Sequence, residues 1–402
     1  MKICIAGKNN IAIEILEFII KNKYFDKKDI LAVCNKTDDG NDNWQRSFKK
    51  YCHQNQVRLV FLEEIYEIEN LLFLSLEFDK IIVPENFKTG KLFNIHFSLL
   101  PSYKGMYTSI MPILYNEEYT GVTLHEIDRG IDTGNIIAQT KIKIDFNDTA
   151  RDLYHKYIKY GIQLVKDNFE DIVCERYKSK PQSFESSSYF SKKSIDFSNI
   201  IIDLRQTALN IHNQIRAFNF REYQTPSILG YKIISTKILP EKSIEKPGKI
   251  LEENSLYIRT ATIDYDILMY KDIRDDFMDA CIKNDISFIN KSINVPNILN
   301  IQNEKGWTPL IVATYNANTE IMKLLIEKGA DTDCTNFRGT TLLMYAKDAY
   351  VNTGNHKPLN MILSLKKDIY KKDYYNKDIF DYCMVAGQLE VIDIIKGYYE
   401  DD

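Results

Sequence analysis

The sequence is poor in glycine and proline, with 16 and 10 among 402 residues. That excludes collagen-like and Pro/Gly-rich disordered architectures. It also lacks net positive charge: 52 Lys and Arg stand against 56 Asp and Glu, a formal charge of −4. This argues against a broad surface for nucleic acid or anionic membrane. The cysteines (Cys4, Cys34, Cys52, Cys174, Cys281, Cys334, Cys383) are odd in number, scattered, and form no Cys-x-x-Cys pair. A disulfide framework or a zinc site needs clustering, so reduced thiols in a cytoplasmic protein are expected. His53, His125, His155, His212 and His356 likewise lack ligand spacing, so no metal is expected. No apolar stretch approaches the roughly 20 residues of a membrane span. Polar Lys8, Asn9 and Asn10 interrupt the amino-terminal apolar run too early for a signal peptide.

What is present is 44% hydrophobic and 27% charged residues over a length that points to two or three domains. Ile3 to Ala6 reads as a β-branched strand closed by Gly7, and Ile11 to Ile20 carries apolar residues at helical spacing. Asp29 to Cys34, Lys80 to Pro84 and Lys91 to His96 read as further buried strands. Continuous apolar strands alternating with helices imply a Rossmann-like α/β domain with a mostly parallel sheet. Gly121 to Ile127 and Asn135 to Ile144 read as two strands around a polar loop. A helix from about Asp148, a candidate cap, to Val173 follows, and another from Ile202 to Arg216. Short β-like pieces at Lys232–Leu239, Gly248–Leu251, Leu256–Thr260 and Asp266–Tyr270 predict a small β module.

The last third repeats. Gly306-Trp-Thr-Pro-Leu310 recurs as Gly339-Thr-Thr-Leu-Leu343, 33 residues on, and Ala313 recurs as Ala346. With Gly329-Ala-Asp331 closing the first unit, this resembles the ankyrin repeat, a turn followed by two antiparallel helices. Weaker copies at Phe277–Cys281 and Phe380–Lys396 give about four units, with an insertion near Val351–Lys357. The domains expected are 1–200 (catalytic), 201–271 (helix plus β module) and 272–402 (helical repeats). Trp307 follows the turn glycine, where a polar residue is usual. It reads either as packing at the domain junction or as an exposed platform for a second ligand.

Asn94-Ile-His96 carries the chemistry. Residues two apart on a strand share a face, so an amide and an imidazole point to one place. There they can serve as oxyanion donor and proton carrier. The loop Asp128-Arg-Gly-Ile-Asp132-Thr-Gly134 then offers Asp132 as a carboxylate to orient the imidazole.

Asn94-x-His96, Leu100-Pro101 with Lys104-Gly105, and Gly121 to Gly134 together resemble the folate-dependent formyltransferases over about residues 1–270. The resemblance implies transfer of a formyl group from formyl-tetrahydrofolate to a primary amine, with Asn94, His96 and Asp132 catalytic. Folate would be lined, largely through backbone, by Glu85, Asn86, Phe87, Asp128 and Ile131. The Phe87 side chain reads as ordinary packing ahead of pterin stacking, and His125 is either structural or part of the folate pocket. An acceptor bearing a pyrophosphate and a planar base would suit Lys8, Asn9 and Asn10 at a helix start. Lys104, Tyr107, Arg216 and Tyr223 would add cations and aromatics.

With ankyrin repeats behind the catalytic part, the arrangement is similar to sugar-nucleotide N-formyltransferases. That implies dTDP-3-amino-3,6-dideoxyglucose as acceptor, for O-antigen and lipopolysaccharide synthesis, with the 4-amino isomer left open. It also implies a homodimer with no nucleic-acid or membrane partner. The ankyrin ligand is left unidentified, the nucleotide sugar being one candidate. A non-catalytic ankyrin scaffold and a tRNA formyltransferase are the rival readings.

Overall fold

The computed structural model describes residues 1–400, in two units: Met1–Asn41 with Gln45–Lys271, and Asp42–Trp44 with residues 272–400. The first unit begins with β1 (Lys2–Gly7), whose residues Ile3 to Gly7 are all buried, as a strand covered on both faces requires. α1 (Asn9–Lys21) turns Ile11, Ile15 and Ile19 inward. β2 (Ile30–Cys34), α2 (Phe48–Gln54) and β3 (Arg58–Leu59) follow, then β4 (Leu71–Leu76), β5 (Leu92–His96) and β6 (Lys104–Gly105). After α3 (Met111–Leu114) come β7 (Tyr119–Glu126), β8 (Ile136–Lys143), α4 (Ala150–Val173) and β9 (Tyr189–Phe190).

The main sheet has the order β3-β2-β1-β4-β5-β7-β8. β1 to β5 run parallel within it, β7 pairs antiparallel with β5, and β8 antiparallel with β7. The chain winds outward in both directions from β1 and β4, and such a switch point opens a crevice beyond the strands' carboxyl ends. At that edge Gly7 passes so close to β4 that a Cβ would lie 2.0 Å from the Leu76 carbonyl oxygen. Only glycine fits.

Two expectations about the main-sheet region fail. Lys80–Pro84 is loop, with Ile81 72% exposed, and the strand is Leu71–Leu76, buried throughout. The α4 cap is Thr149, whose hydroxyl accepts from the Asp152 N–H in a capping box. Asp148 instead accepts from the Asp145 N–H and from Lys156.

A second sheet, β10-β11-β14-β13-β12, comprises β10 (Ser227–Ile228), β11 (Tyr231–Lys242), β12 (Ile250–Glu253), β13 (Tyr257–Thr260) and β14 (Tyr265–Lys271). It shares a core with α5 (Ala208–Ala217), where Ile211 and Ile215 meet Ile233, Ile258, Ile267 and Met269. α5 starts six residues later than expected. Thr207 caps it, and 202–207 is irregular.

The second unit holds four helix pairs among the described residues. They are α6 (Arg274–Lys283) with α7 (Ile286–Ser292), α8 (Pro309–Tyr315) with α9 (Thr319–Glu327), α10 (Leu342–Thr353) with α11 (His356–Leu363), and α12 (Ile379–Ala386) with α13 (Leu389–Glu400). The turns repeat one device. Asn303 Oδ1 accepts from the N–H groups of Lys305 and Trp307, Asn336 Oδ1 from Arg338 and Thr340, and Asp373 Oδ1 from Tyr375 and Lys377. The left-handed position inside each turn is Gly306, Gly339 and then Asn376, the non-glycine residue type that tolerates it. Thr308, Thr341 and Asp378 cap the helices that follow.

Candidate active site

The register β5 imposes on its neighbours assembles the site. On the β7 side Asn94 pairs with His125 and His96 with Thr123. Asn94 and His96 share a face, and the side chain opposite Asn94 is an imidazole. The His125 Nδ1–H donates to the Glu126 carbonyl (2.6 Å), so Nε2 accepts from Asn94 Nδ2 at 3.1 Å. This fixes which end of the Asn94 amide is NH2 and leaves its second N–H for a ligand. His125 is 2% exposed, and burial pushes its pKa down to about 4 against the opposing pull of Asp132, so the ring stays neutral at pH 7.

His96, 7% exposed, donates from Nε2 to the Tyr103 carbonyl at 2.8 Å. Its Nδ1 lies 3.4 Å from Asp132 Oδ1, which is also 3.7 Å from His125 Nε2. A proton received on this ring therefore finds an acceptor on each side. Asp132 Oδ2 accepts from the Gly105 N–H at 2.9 Å. Asp132 itself sits at φ +56°, a left-handed conformation that Asp tolerates better than most residues. Behind it Gly134 is obligatory, since a Cβ there would lie 1.9 Å from the Glu126 carbonyl oxygen. The amide, the imidazole and the carboxylate expected from the sequence thus converge at the carboxyl edge of the sheet.

The same edge carries more. Gly7 pairs with Leu76 and Leu76 with Ile95, so Lys8, Glu77 and His96 follow one another across the strand ends. Glu77, which sequence reasoning missed, accepts from Tyr154 Oη (2.8 and 2.9 Å) and Asn9 Nδ2 (3.4 Å), and burial raises its pKa against the pull of Lys8. Asn9 also donates to Tyr154. Two backbone N–H groups at the α1 start are already engaged, Lys8 with the Leu76 carbonyl and Asn10 with Gln45 Oε1. An anion here would meet the Lys8 side chain rather than those amides. Tyr223, 63% exposed, packs on Phe220, which packs on Tyr154.

The remaining expected residues divide. Lys104 Nζ donates to Ser187 Oγ, and Tyr107 Oη to the Lys192 carbonyl. Asp128 Oδ1 accepts from the Gly130 N–H and Thr133 Oγ1, Ile131 is partly exposed, and Glu85 pairs with Arg129 across the two expected folate segments. Asn86 ends the short turn Pro84–Asn86.

One residue does not fit its expected role, and the ring of another takes the packing reading rather than the stacking one. Arg216 is buried, its guanidinium committed to Asn213 Oδ1 and the Asp148 carbonyl, so it braces α5 rather than meeting an acceptor. Phe87 lies in the core, edge-on to Tyr66 at 4.8 Å, and cannot stack on a pterin. Trp307 packs within its own unit, 5.1 Å from Tyr315 and 5.0 Å from Tyr345, and is half-buried.

Comparison with known proteins gives the family. The formyl transferase family matches residues 45–167, its C-terminal domain 195–276, and ankyrin repeats (3 copies) 277–373. The structure of WlaRD, a sugar 3N-formyl transferase in the presence of dTDP and 5-N-formyl-THF, is 51% identical. It covers 67% of this chain and 97% of its own, with a TM-score of 0.64. An N-formyltransferase from Helicobacter canadensis, in complex with folinic acid and dTDP-3-aminofucose, is 48% identical. It covers 67% of this chain and 99% of its own, also at 0.64. A methionyl-tRNA formyltransferase of Clostridioides difficile is 29% identical over 68% of this chain and 92% of its own length.

Proposed function

The chain belongs to the formyl transferase family, and from that premise we propose that it moves a formyl group from formyl-tetrahydrofolate to the amino group of a dTDP-linked amino-dideoxysugar. The amine nitrogen attacks the formyl carbon, the carbonyl oxygen becomes an oxyanion, and the carbon–nitrogen bond to the folate breaks. The amine's proton ends on the folate nitrogen. The free N–H of Asn94 donates to the oxyanion. His96 takes the amine's proton and returns it to the leaving nitrogen, while Asp132 holds the imidazolium. The neutral His125 keeps the Asn94 N–H pointed at the oxyanion.

The observation that carries this reading is the meeting of Asn94, His96 and Asp132 beside Lys8 and Asn9, within the two-thirds of the chain that resembles WlaRD at 51% identity. We take the acceptor to be the 3-amino sugar, dTDP-3-amino-3,6-dideoxyglucose. Both nucleotide-sugar relatives are described with a 3-amino chemistry, which supports it over the 4-amino isomer. The same reading has the enzyme acting as a cytoplasmic homodimer that supplies O-antigen synthesis. It also has the aromatic trio around Trp307 as the place where the ankyrin unit would hold a second nucleotide sugar.

The test is a panel of dTDP-3-amino and dTDP-4-amino sugars with formyl-tetrahydrofolate, products identified by mass. Formylation of the 3-amino sugars at the highest kcat/KM is expected. Turnover confined to charged methionyl-tRNA, with binding that weakens steeply in salt, overturns it.

A further inference from the structure

Between the two matched formyl transferase spans, which end at 167 and resume at 195, lies a segment that the catalytic chemistry does not use. It nevertheless grips both walls of the site. Toward the Asp132 loop, Tyr177 Oη and Ser179 Oγ donate to Glu126 Oε1 (3.2 and 3.0 Å), and Lys180 exchanges backbone hydrogen bonds with Ile136. Toward the loop after His96, Ser188 Oγ accepts from the Tyr103 N–H (2.8 Å), the Ser188 carbonyl accepts from the Lys104 N–H, and the Phe190 carbonyl from the Met106 N–H. The Tyr103 carbonyl is the acceptor for His96, and the Gly105 N–H holds Asp132.

At the middle of this strap one side chain addresses the carboxylate's own backbone. Gln182 Nε2 donates to the carbonyls of Asp132 and Gly134, both at 2.8 Å, while its Oε1 is buried with no partner. A buried amide that leaves its acceptor unsatisfied gives up free energy for those two donations. The residue it holds has φ +56°, and the next glycine tolerates no side chain. Asp132 is therefore held in a sparsely populated backbone conformation by a contact from outside its own loop.

We propose that Gln182 is a positioning residue for formyl transfer, clamping the loop so that Asp132 reaches His96. It does not touch substrate; it acts through Asp132. The proposal rests on the catalytic reading of Asp132. A displacement of about an ångström at a reacting group costs on the order of a hundredfold in rate, and the loop has no other side-chain donor to these two carbonyls among the described residues.

The experiment compares Gln182→Met, of similar length and without donors, and Gln182→Glu, with Asp132→Asn and with the double variants. Expected is a roughly 10- to 100-fold fall in kcat for each Gln182 variant, with little change in KM for either substrate and a shifted pH profile. In the Asp132→Asn background the Gln182 substitutions should cost almost nothing more. Losses that multiply in the double variants, or Gln182 variants with unchanged kcat and pH profile, overturn the clamp. If Asp132→Asn itself leaves kcat unchanged, the catalytic reading fails instead. Should the Met variant not fold, Gln182→Asn, too short to span both carbonyls, is read by the same criteria.

Discussion

The candidate active site and the ankyrin unit solve the problem of fixing a side chain in opposite ways. In the site, Asn94, His96, His125 and Asp132 come from three segments and meet only because β5 and β7 pair in one register. Each contact occurs once, so losing it leaves nothing equivalent. In the ankyrin unit the asparagine or aspartate at 303, 336 and 373 forms the same pair of bonds to the backbone two and four residues on. Stability there is a sum of similar local terms. One region concentrates consequence; the other distributes it.

The largest effect that would sharpen this contrast lies in the site. His96→Asn and Asp132→Asn should each lower formyl transfer by roughly 10²- to 10⁴-fold while the melting curve barely moves. A rate within threefold of the parent in either variant would break the contrast. Gly134→Ala comes next. Its Cβ cannot coexist with the Glu126 carbonyl, so the loop must shift, and steady-state kinetics should show a loss on the order of tenfold or more.

A third effect appears in the pH dependence of stability. Burial pushes His125, His155 and His212 down to about 4 from 6.5. In that window the unfolded chain takes up protons that the folded one refuses, so stability is full above about 6.5 and is lost as pH falls toward 4. Thermal melts at stepped pH should follow this, and His125→Asn should flatten part of the slope.

Smaller still are the repeat variants. Asn336→Ala, which removes two backbone partners and the bond to Tyr345 Oη, should cost about 1–2 kcal/mol. Removing the Thr341 cap with Thr341→Ala should cost about 1 kcal/mol. Denaturant unfolding measures both, and a loss from Asn336→Ala as large as that of a core truncation would mean the turns are not interchangeable.

Legibility in the sequence followed the same divide. The repeats announce themselves, because a 33-residue echo needs no knowledge of contacts. The Asn94-x-His96 pair is legible for a local reason, the period of a strand, and the glycine-bearing loop marks the third candidate position. His125 as a partner of Asn94 is not legible, since only the antiparallel register sets them opposite. Nor is Gln182, which lies in a stretch with no periodicity.

The misread strand shows the limit of composition. Lys80-Ile-Ile-Val-Pro84 is β-branched yet forms a loop, whereas Leu71-Leu-Phe-Leu-Ser-Leu76, equally at home in a helix, is the buried strand. Arg216 failed for a different reason: a cation looks the same in sequence whether it faces a ligand or a core.

The pairing of β5 with β7 carries one more implication. Side chains alternate faces along a strand, so sliding β7 by a single residue would set Leu124 or Glu126, according to direction, against Asn94 and turn His125 to the far side of the sheet. Such a misaligned molecule could keep its bulk shape and most of its main-chain bonds, yet its amide would have lost the lone pair that orients it. Under the proposed mechanism the alignment of two ribbons is itself a catalytic parameter, and an insertion or deletion within β7 would be more damaging than most single replacements.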